Sequence, residues 1–216
     1  MDFQFLLDEF PGIWEGVDVT IGLFAWSLLY GTLGGLVLAL MRLSRFAVLR
    51  GVSAAITWVG RGIPPLILLF FAFFVAPELG ITLERFPSAV LGLSLWTAVY
   101  EGEVIRAGIS GVDTGQWEAS EALGMTPRLY MRRIIIPQGV RIMIPPYIGN
   151  AMTLLKQTSI ASIVTITEIT LLANRVISFK FKALEPLLTI AFIYLALNTV
   201  LQVAQQGLER TFRLRV

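Results

Sequence analysis

Five stretches of this chain are too long and too apolar to be ordinary surface elements of a water-soluble fold. A helix needs about 20 mostly apolar residues to cross a bilayer. Val19–Met41 supplies the first, with no charge between Asp18 and Arg42. Val52–Ala76 is the second, interrupted by Arg61-Gly62 and Pro64-Pro65, so it either begins near Val52–Gly60 or is broken at depth. Pro87–Ile109, Pro145–Val164 and Pro186–Val203 are the third, fourth and fifth. Lipid offers no hydrogen bonds to a bare backbone, so helices satisfy it internally. The pattern predicts an all-α membrane protein of about five transmembrane helices.

Composition agrees and excludes several chemistries. Hydrophobic residues make up 56% of the 216 and charged ones 15%, against about 45–50% and 25% in soluble domains. With no Cys and no His, disulfides, thiolate metal sites and serine–histidine or histidine–zinc catalysis are excluded. No catalytic residue and no metal site is expected.

The chain divides into an N-terminal segment 1–18, a membrane domain 19–206 and a basic tail 207–216. Phe3, Leu6, Leu7, Phe10, Trp14 and Val17 recur at roughly helical spacing around Pro11. This reads as an amphipathic segment on the membrane surface, or as a loosely ordered tail. Its acidic residues argue against a cleavable signal peptide.

Lys and Arg counts set orientation. With the N-terminus outside, the inner segments hold Arg42, Arg45, Arg50 and Arg61, then Arg106, Arg128, Arg132, Arg133 and Arg141, then Arg210, Arg213 and Arg215. The outer segments hold only Arg85, Arg175, Lys180 and Lys182. The C-terminus is therefore expected in the cytoplasm.

The longest polar-rich stretch is roughly residues 108–141, on the cytoplasmic side, and residues 113–137 within it read as two short helices. Asp113 or Thr114 can cap a short helix carrying Glu118 and Glu121 early, where the dipole favours them. Gly124 sits where that helix should stop in a left-handed conformation. Thr126-Pro127 restarts a helix that carries Arg128, Arg132 and Arg133 before Pro137. Such a helix–Gly–helix is suited to docking. A DNA-binding helix-turn-helix is disfavoured because membrane helices flank it closely, so no nucleic acid is expected. A connector touching lipid headgroups is the plain alternative.

The stretch resembles the signature loop of ABC-importer permeases: Glu-Ala-Ala, three residues, Gly, nine residues, Ile-x-Leu-Pro. Here Glu118-Ala119-Ser120, Gly124 and Ile134-Ile135-Ile136-Pro137 keep the spacing, with Ser120 and Ile136 as mild departures. Tyr100–Ile109, Arg61-Gly62-Ile63-Pro64-Pro65 and Leu154-Leu155-Lys156-Gln157-Thr158-Ser159 resemble motifs of the polar amino acid uptake branch, where an acidic residue is common in place of Gln157.

The resemblance implies a type I importer fold in the bacterial cytoplasmic (inner) membrane. It implies a cytoplasmic ATP-binding subunit dimer and a periplasmic or lipid-anchored amino-acid-binding protein. A second permease subunit, identical or similar, would complete the pore. It assigns Glu118, Ala119, Ser120, Gly124, Ile134 and Pro137 to ATPase coupling. The chain has no GxxxxGK[ST] loop, so ATP and Mg would sit on the partner ATPase.

Polar groups within the spans are the remaining candidates. A charge at mid-membrane costs at least ~2.5–3.5 kcal/mol on insertion scales, so Lys156 must face protein or water. It either lines the substrate path or pairs with Glu101, Glu103 or Glu168. Thr158 and Ser159 lie nearby and serve as path residues or as helix-packing contacts. Glu103 and Arg106, three apart, either pair locally or wall a cavity. Thr165-Ile166-Thr167-Glu168 fits a capping box with Glu168 at N3. The competing reading of the whole is a self-contained ion-coupled secondary transporter or channel, which usually needs more helices or an internal repeat.

Overall fold

In the computed structural model, which describes residues 3–212, the backbone is helical almost throughout and no strand occurs among the described residues. The helices are α1 (Phe3–Trp14), α2 (Val17–Arg42), α3 (Ala47–Gly62), α4 (Pro65–Glu78), α5 (Arg85–Ser110), α6 (Thr114–Ala122), α7 (Pro127–Val164), α8 (Ile169–Lys180) and α9 (Leu184–Phe212). Arg213 and Arg215 of the expected basic tail lie outside the described residues; its first part continues α9.

Two helical stretches are long and apolar enough to cross a membrane as they stand, Asp8–Arg42 and Leu184–Glu209. Two further candidates are bent pairs. The expected second span is not one helix: α3 and α4 meet at 105°. Pro64 lacks an N–H and keeps Ile63 extended (φ −98°, ψ 128°), which ends α3 before Pro65 opens α4. The α7–α8 pair bends by 50°.

The expected fourth span, Pro145–Val164, is the later part of one longer helix, α7. Pro137, expected to close the second loop helix, and Pro145, expected to open the span, both lie inside α7, as does Pro146. A π-type turn at Met131–Ile135, in which Ile136 N–H donates to the Met131 carbonyl, immediately precedes Pro137. The same arrangement precedes Pro77: Phe71–Val75 is a π-type turn and Ala76 N–H donates to Phe71. Proline loses an i→i−4 bond and crowds the carbonyl four residues back. Widening the preceding turn lets the helix continue past both constraints.

At 26 residues, α5 is about 39 Å long. It carries Glu101, Glu103 and Arg106 and is the most buried helix. Surrounding protein makes this polarity tolerable, as it would not be against lipid. Its main partner is α2, whose glycines allow the close approach that small residues provide in membranes. A Cβ on Gly31 would lie 2.3 Å from the Thr97 Cβ.

An apolar cluster of Leu23, Leu69, Val90 and Val164 joins α2, α4, α5 and the end of α7. A second, with Ile13, Val17, Ile169, Ala173 and Ile193, joins α1 and the start of α2 to α8 and α9. The amphipathic N-terminal segment thus packs one face on protein, while Phe10 and Trp14 stack at 5.5 Å on its exposed side.

The start of α8 also differs from expectation. Glu168 is itself the N-cap, its carboxylate accepting from Leu171 N–H at 2.8 Å, rather than the third residue of a capping box. Thr165 is taken up by the turn, with φ 62°, and its hydroxyl accepts from Arg85 at 3.2 Å.

Candidate functional site

The loop 113–137 folds as its chemistry predicts up to the second helix. Asp113 caps α6, its carboxylate accepting from Gly115 N–H at 2.8 Å. Gly124 takes φ +69°. Its N–H donates to the Glu121 carbonyl at 2.9 Å, and Met125 N–H donates to the Ser120 carbonyl at 3.1 Å. These two bonds define a Schellman ending and satisfy carbonyls that the helix terminus would leave open. Thr126 precedes the Pro127 start of α7, but its side chain makes no cap bond.

One face of α6 is held against the bundle. Trp117 packs edge-on to Tyr130 at 5.7 Å, over a cluster of Ile109, Val112, Tyr130 and Ile135. Ile134 packs against the same cluster. Ser120 is buried, its hydroxyl donating to the Gln116 carbonyl at 2.6 Å, which accommodates its departure from Ala. Gln138 donates to Gln116 across 3.2 Å. The opposite face is open: Glu118, Ala119, Glu121 and Ala122 are exposed. Leu123, 79% exposed, adds an apolar tip. Sequence reasoning missed Trp117, Tyr130 and Ile135; their apolar spacing is interrupted by Gly124, so no single periodicity reveals them.

A second cluster of charge lies where α3, α5 and α7 meet. Glu103 accepts from Arg106 through both oxygens, one at 3.0 Å from Nε. Arg61 lies over the Tyr100 ring at 5.6 Å, within the range of a cation–π contact. Glu103 and Arg61 together border two cavities of about 240 and 340 Å³. The smaller also touches Tyr100 and Asn150, and the larger touches Arg42, Thr57 and Trp58. The local pair and the cavity wall are therefore both present at Glu103.

Beside them, Glu101 is fully buried. Neither of its oxygens has a partner at hydrogen-bonding distance among the described residues, and the Asn150 side chain is the polar group directed at it. Tyr147 and Thr32 share a 2.7 Å hydrogen bond nearby, linking α7 to α2.

Lys156 is exposed on α7, and none of Glu101, Glu103 and Glu168 pairs with it. Thr158 is buried. Its hydroxyl donates to the Leu155 carbonyl at 2.7 Å and meets Tyr194 at 3.3 Å. The Ser159 hydroxyl donates to the Lys156 carbonyl at 2.8 Å. The structure thus brings Glu103 together with Arg61 and Asn150, and sets Thr158 inside the helix packing.

A helical membrane bundle with a broken span and a short helix presented at the end of α5 is the transmembrane fold of type I ABC importers. The fold matches 98% of this chain to 99% of a chain in the crystal structure of an amino acid ABC transporter with histidines, at a TM-score of 0.91 and 30% identity. A chain of the MetNI methionine ABC transporter in inward-facing conformations shares the fold at a TM-score of 0.74 and 19% identity.

Residues 31–214 match the family described as binding-protein-dependent transport system inner membrane component, and the chain belongs to it. Among relatives, the L-cystine transport system permease protein TcyB of Bacillus subtilis (strain 168) is 36% identical over 93% of this chain and 86% of its own length. The arginine transport system permease protein ArtQ of the same organism is 31% identical over 99% and 98%. The chain is a permease subunit, not an enzyme of its own, and this supports the importer reading over a self-contained ion-coupled carrier.

Proposed function

We propose that the chain translocates a polar amino acid delivered by an external binding protein. A pair of cytoplasmic ATPase subunits would drive it, with ATP and Mg held there. The observation that carries this reading is α6: anchored on one face through Trp117 and Ser120, open on the other at Glu118 and Ala119. A helix so mounted can pass a push or pull to α5 and α7 without unfolding. Binding protein and ATPase can bias the permease only through unequal affinity for its conformations, and α6 is the element that would feel that inequality.

A second permease subunit, identical or similar, completes the pathway in the bacterial cytoplasmic membrane. Lys156, exposed on α7, and Ser159 beside it would line that pathway, and Glu103 and Arg61, which border the same cavities, would offer opposite charges for the two ends of an amino acid zwitterion. Thr158 contributes through packing behind them. The N-terminus would lie outside and the C-terminus inside, the orientation that the arginine distribution favours. That arginine-based orientation rests on the sequence alone.

The test is co-purification of the ATPase with wild type and with Ala119→Trp, which places bulk on the open face of α6. The variant should insert normally and lose the ATPase. Full retention of the ATPase, with normal uptake, would remove α6 from the coupling role.

A further inference from the structure

We propose that Glu101 is a positioning residue for transport. It turns the Asn150 side chain so that the amide carbonyl oxygen faces the cavity bordered by Arg61 and Glu103, as an acceptor for the substrate's ammonium group. This role rests on the amino acid pathway proposed above.

The helix faces separate the two residues' tasks. Tyr100, Glu103, Val104 and Ala107 of α5 border the cavity of about 240 Å³. Their spacing of three and four marks one helix face, and Glu101 is off it. Its backbone lies in the contact with α2, next to Gly35, and its side chain is fully buried. On α7, Ile142, Pro146 and Asn150 line the same cavity, again at a spacing of four. Asn150 therefore does two things: it borders the cavity and it is directed at Glu101.

The chemistry of the pair sets its orientation. Neither Glu101 oxygen has a hydrogen-bond partner among the described residues. A buried carboxyl left so is costly, and Asn150 is the group placed to close the gap. The Tyr147 hydroxyl nearby is already engaged with Thr32 at 2.7 Å. A carboxyl group accepts through its carbonyl oxygen whether or not it carries a proton, and Asn donates only through its NH₂. With the NH₂ turned to Glu101, the Asn150 carbonyl oxygen is left for the cavity.

That acceptor complements what the cavity already holds. Glu103 spends both oxygens on Arg106, and Arg61 makes no ion pair among the described residues. Arg61 then suits a carboxylate, and Asn150 an ammonium. Glu101 adds nothing to packing that an apolar side chain of its size would not add at lower cost. An ionisable residue inside a span points to function by default.

The test uses the complete transporter in proteoliposomes with saturating loaded binding protein. It reads amino acid accumulated per ATP hydrolysed, together with the melting temperature of each variant. Glu101→Met should lower that ratio about fivefold, the worth of one hydrogen bond, while melting no lower than wild type. Glu101→Gln, which keeps an acceptor, should stay within about twofold of wild type. Asn150→Ala should lower the ratio as Glu101→Met does, and the double variant should fall no further, because the two side chains act as one unit. Tyr147→Phe combined with Glu101→Met should instead show independent effects. An unchanged ratio in Glu101→Met, multiplied losses in the Glu101–Asn150 double variant, or a fall in melting temperature that parallels the loss of uptake would overturn the role. A wild type that accumulates no amino acid with ATP and loaded binding protein would overturn the proposed function and this role with it, a result distinct from an active wild type with an unaffected Glu101→Met.

Discussion

A Cβ built on Gly35 would lie 2.7 Å from the backbone nitrogen of Gly102 and 2.9 Å from the Ala98 carbonyl oxygen. Helices α2 and α5 therefore touch main chain to main chain. Glu101, whose backbone belongs to the same contact, is fully buried. Where lipid is as apolar as the side chains, such packing replaces the hydrophobic effect as the force that holds helices together.

Gly35→Ala should therefore destabilise the bundle by about 1–3 kcal/mol, the usual range for overpacking. Gly62→Ala, with open space around it, serves as the control for glycine loss within a helix. Thermal unfolding in detergent measures both, and equal melting temperatures would show that the crossing is not tight.

Gly124 sits in open space, so conformation alone limits it. At φ +69°, Ala costs about 1 kcal/mol, and Asn, which enters this region more readily, costs less. Gly124→Asn should keep more ATPase coupling than Gly124→Val, as read by hydrolysis stimulated by the loaded binding protein. The reverse order would mean that surface contact, not backbone geometry, sets the position.

Glu103 and Arg106 are paired, but their side chains remain 34% and 31% exposed. Such a pair contributes up to about 1 kcal/mol, further screened by water where it is present. Glu103→Gln should thus leave folding nearly intact. Under the proposed function its uptake falls while expression and melting temperature stay near wild type. Parallel loss of stability and uptake would make the pair structural only.

Lys156 has no carboxylate partner among the described residues. Lys156→Met should leave the isolated chain's stability unchanged and alter uptake or association with the second permease subunit. A lowered melting temperature of the isolated chain would contradict this, because it would require a partner within the chain.

The apolar runs made the helical membrane class legible, and local cap chemistry made α6 legible to single residues: Asp113 and Gly124 are where their side chains and backbone preferences put them. Prolines misled. At Pro64 the chain breaks, as a missing N–H suggests, but at Pro137, Pro145 and Pro146 it does not. The turn Met131–Ile135 absorbs Pro137 through a longer-range backbone bond that no composition rule reports. The register of Glu168 was off for a similar reason: Thr165 and Glu168 both suit a cap, and tertiary packing of Gly16 against Ile169 selects the later one. The cavity beside Glu103 needs Arg61, Tyr100 and Asn150 from three helices, and their proximity is a property of the bundle rather than of any stretch of sequence.

The most direct test of the account is uptake into proteoliposomes containing this chain, its permease and ATPase partners and a loaded binding protein, with a panel of labelled amino acids. The account predicts accumulation of a polar amino acid that needs both ATP and the binding protein, and that Ala119→Trp abolishes. Accumulation by this chain alone, driven by a proton or sodium gradient and indifferent to ATP, would contradict it.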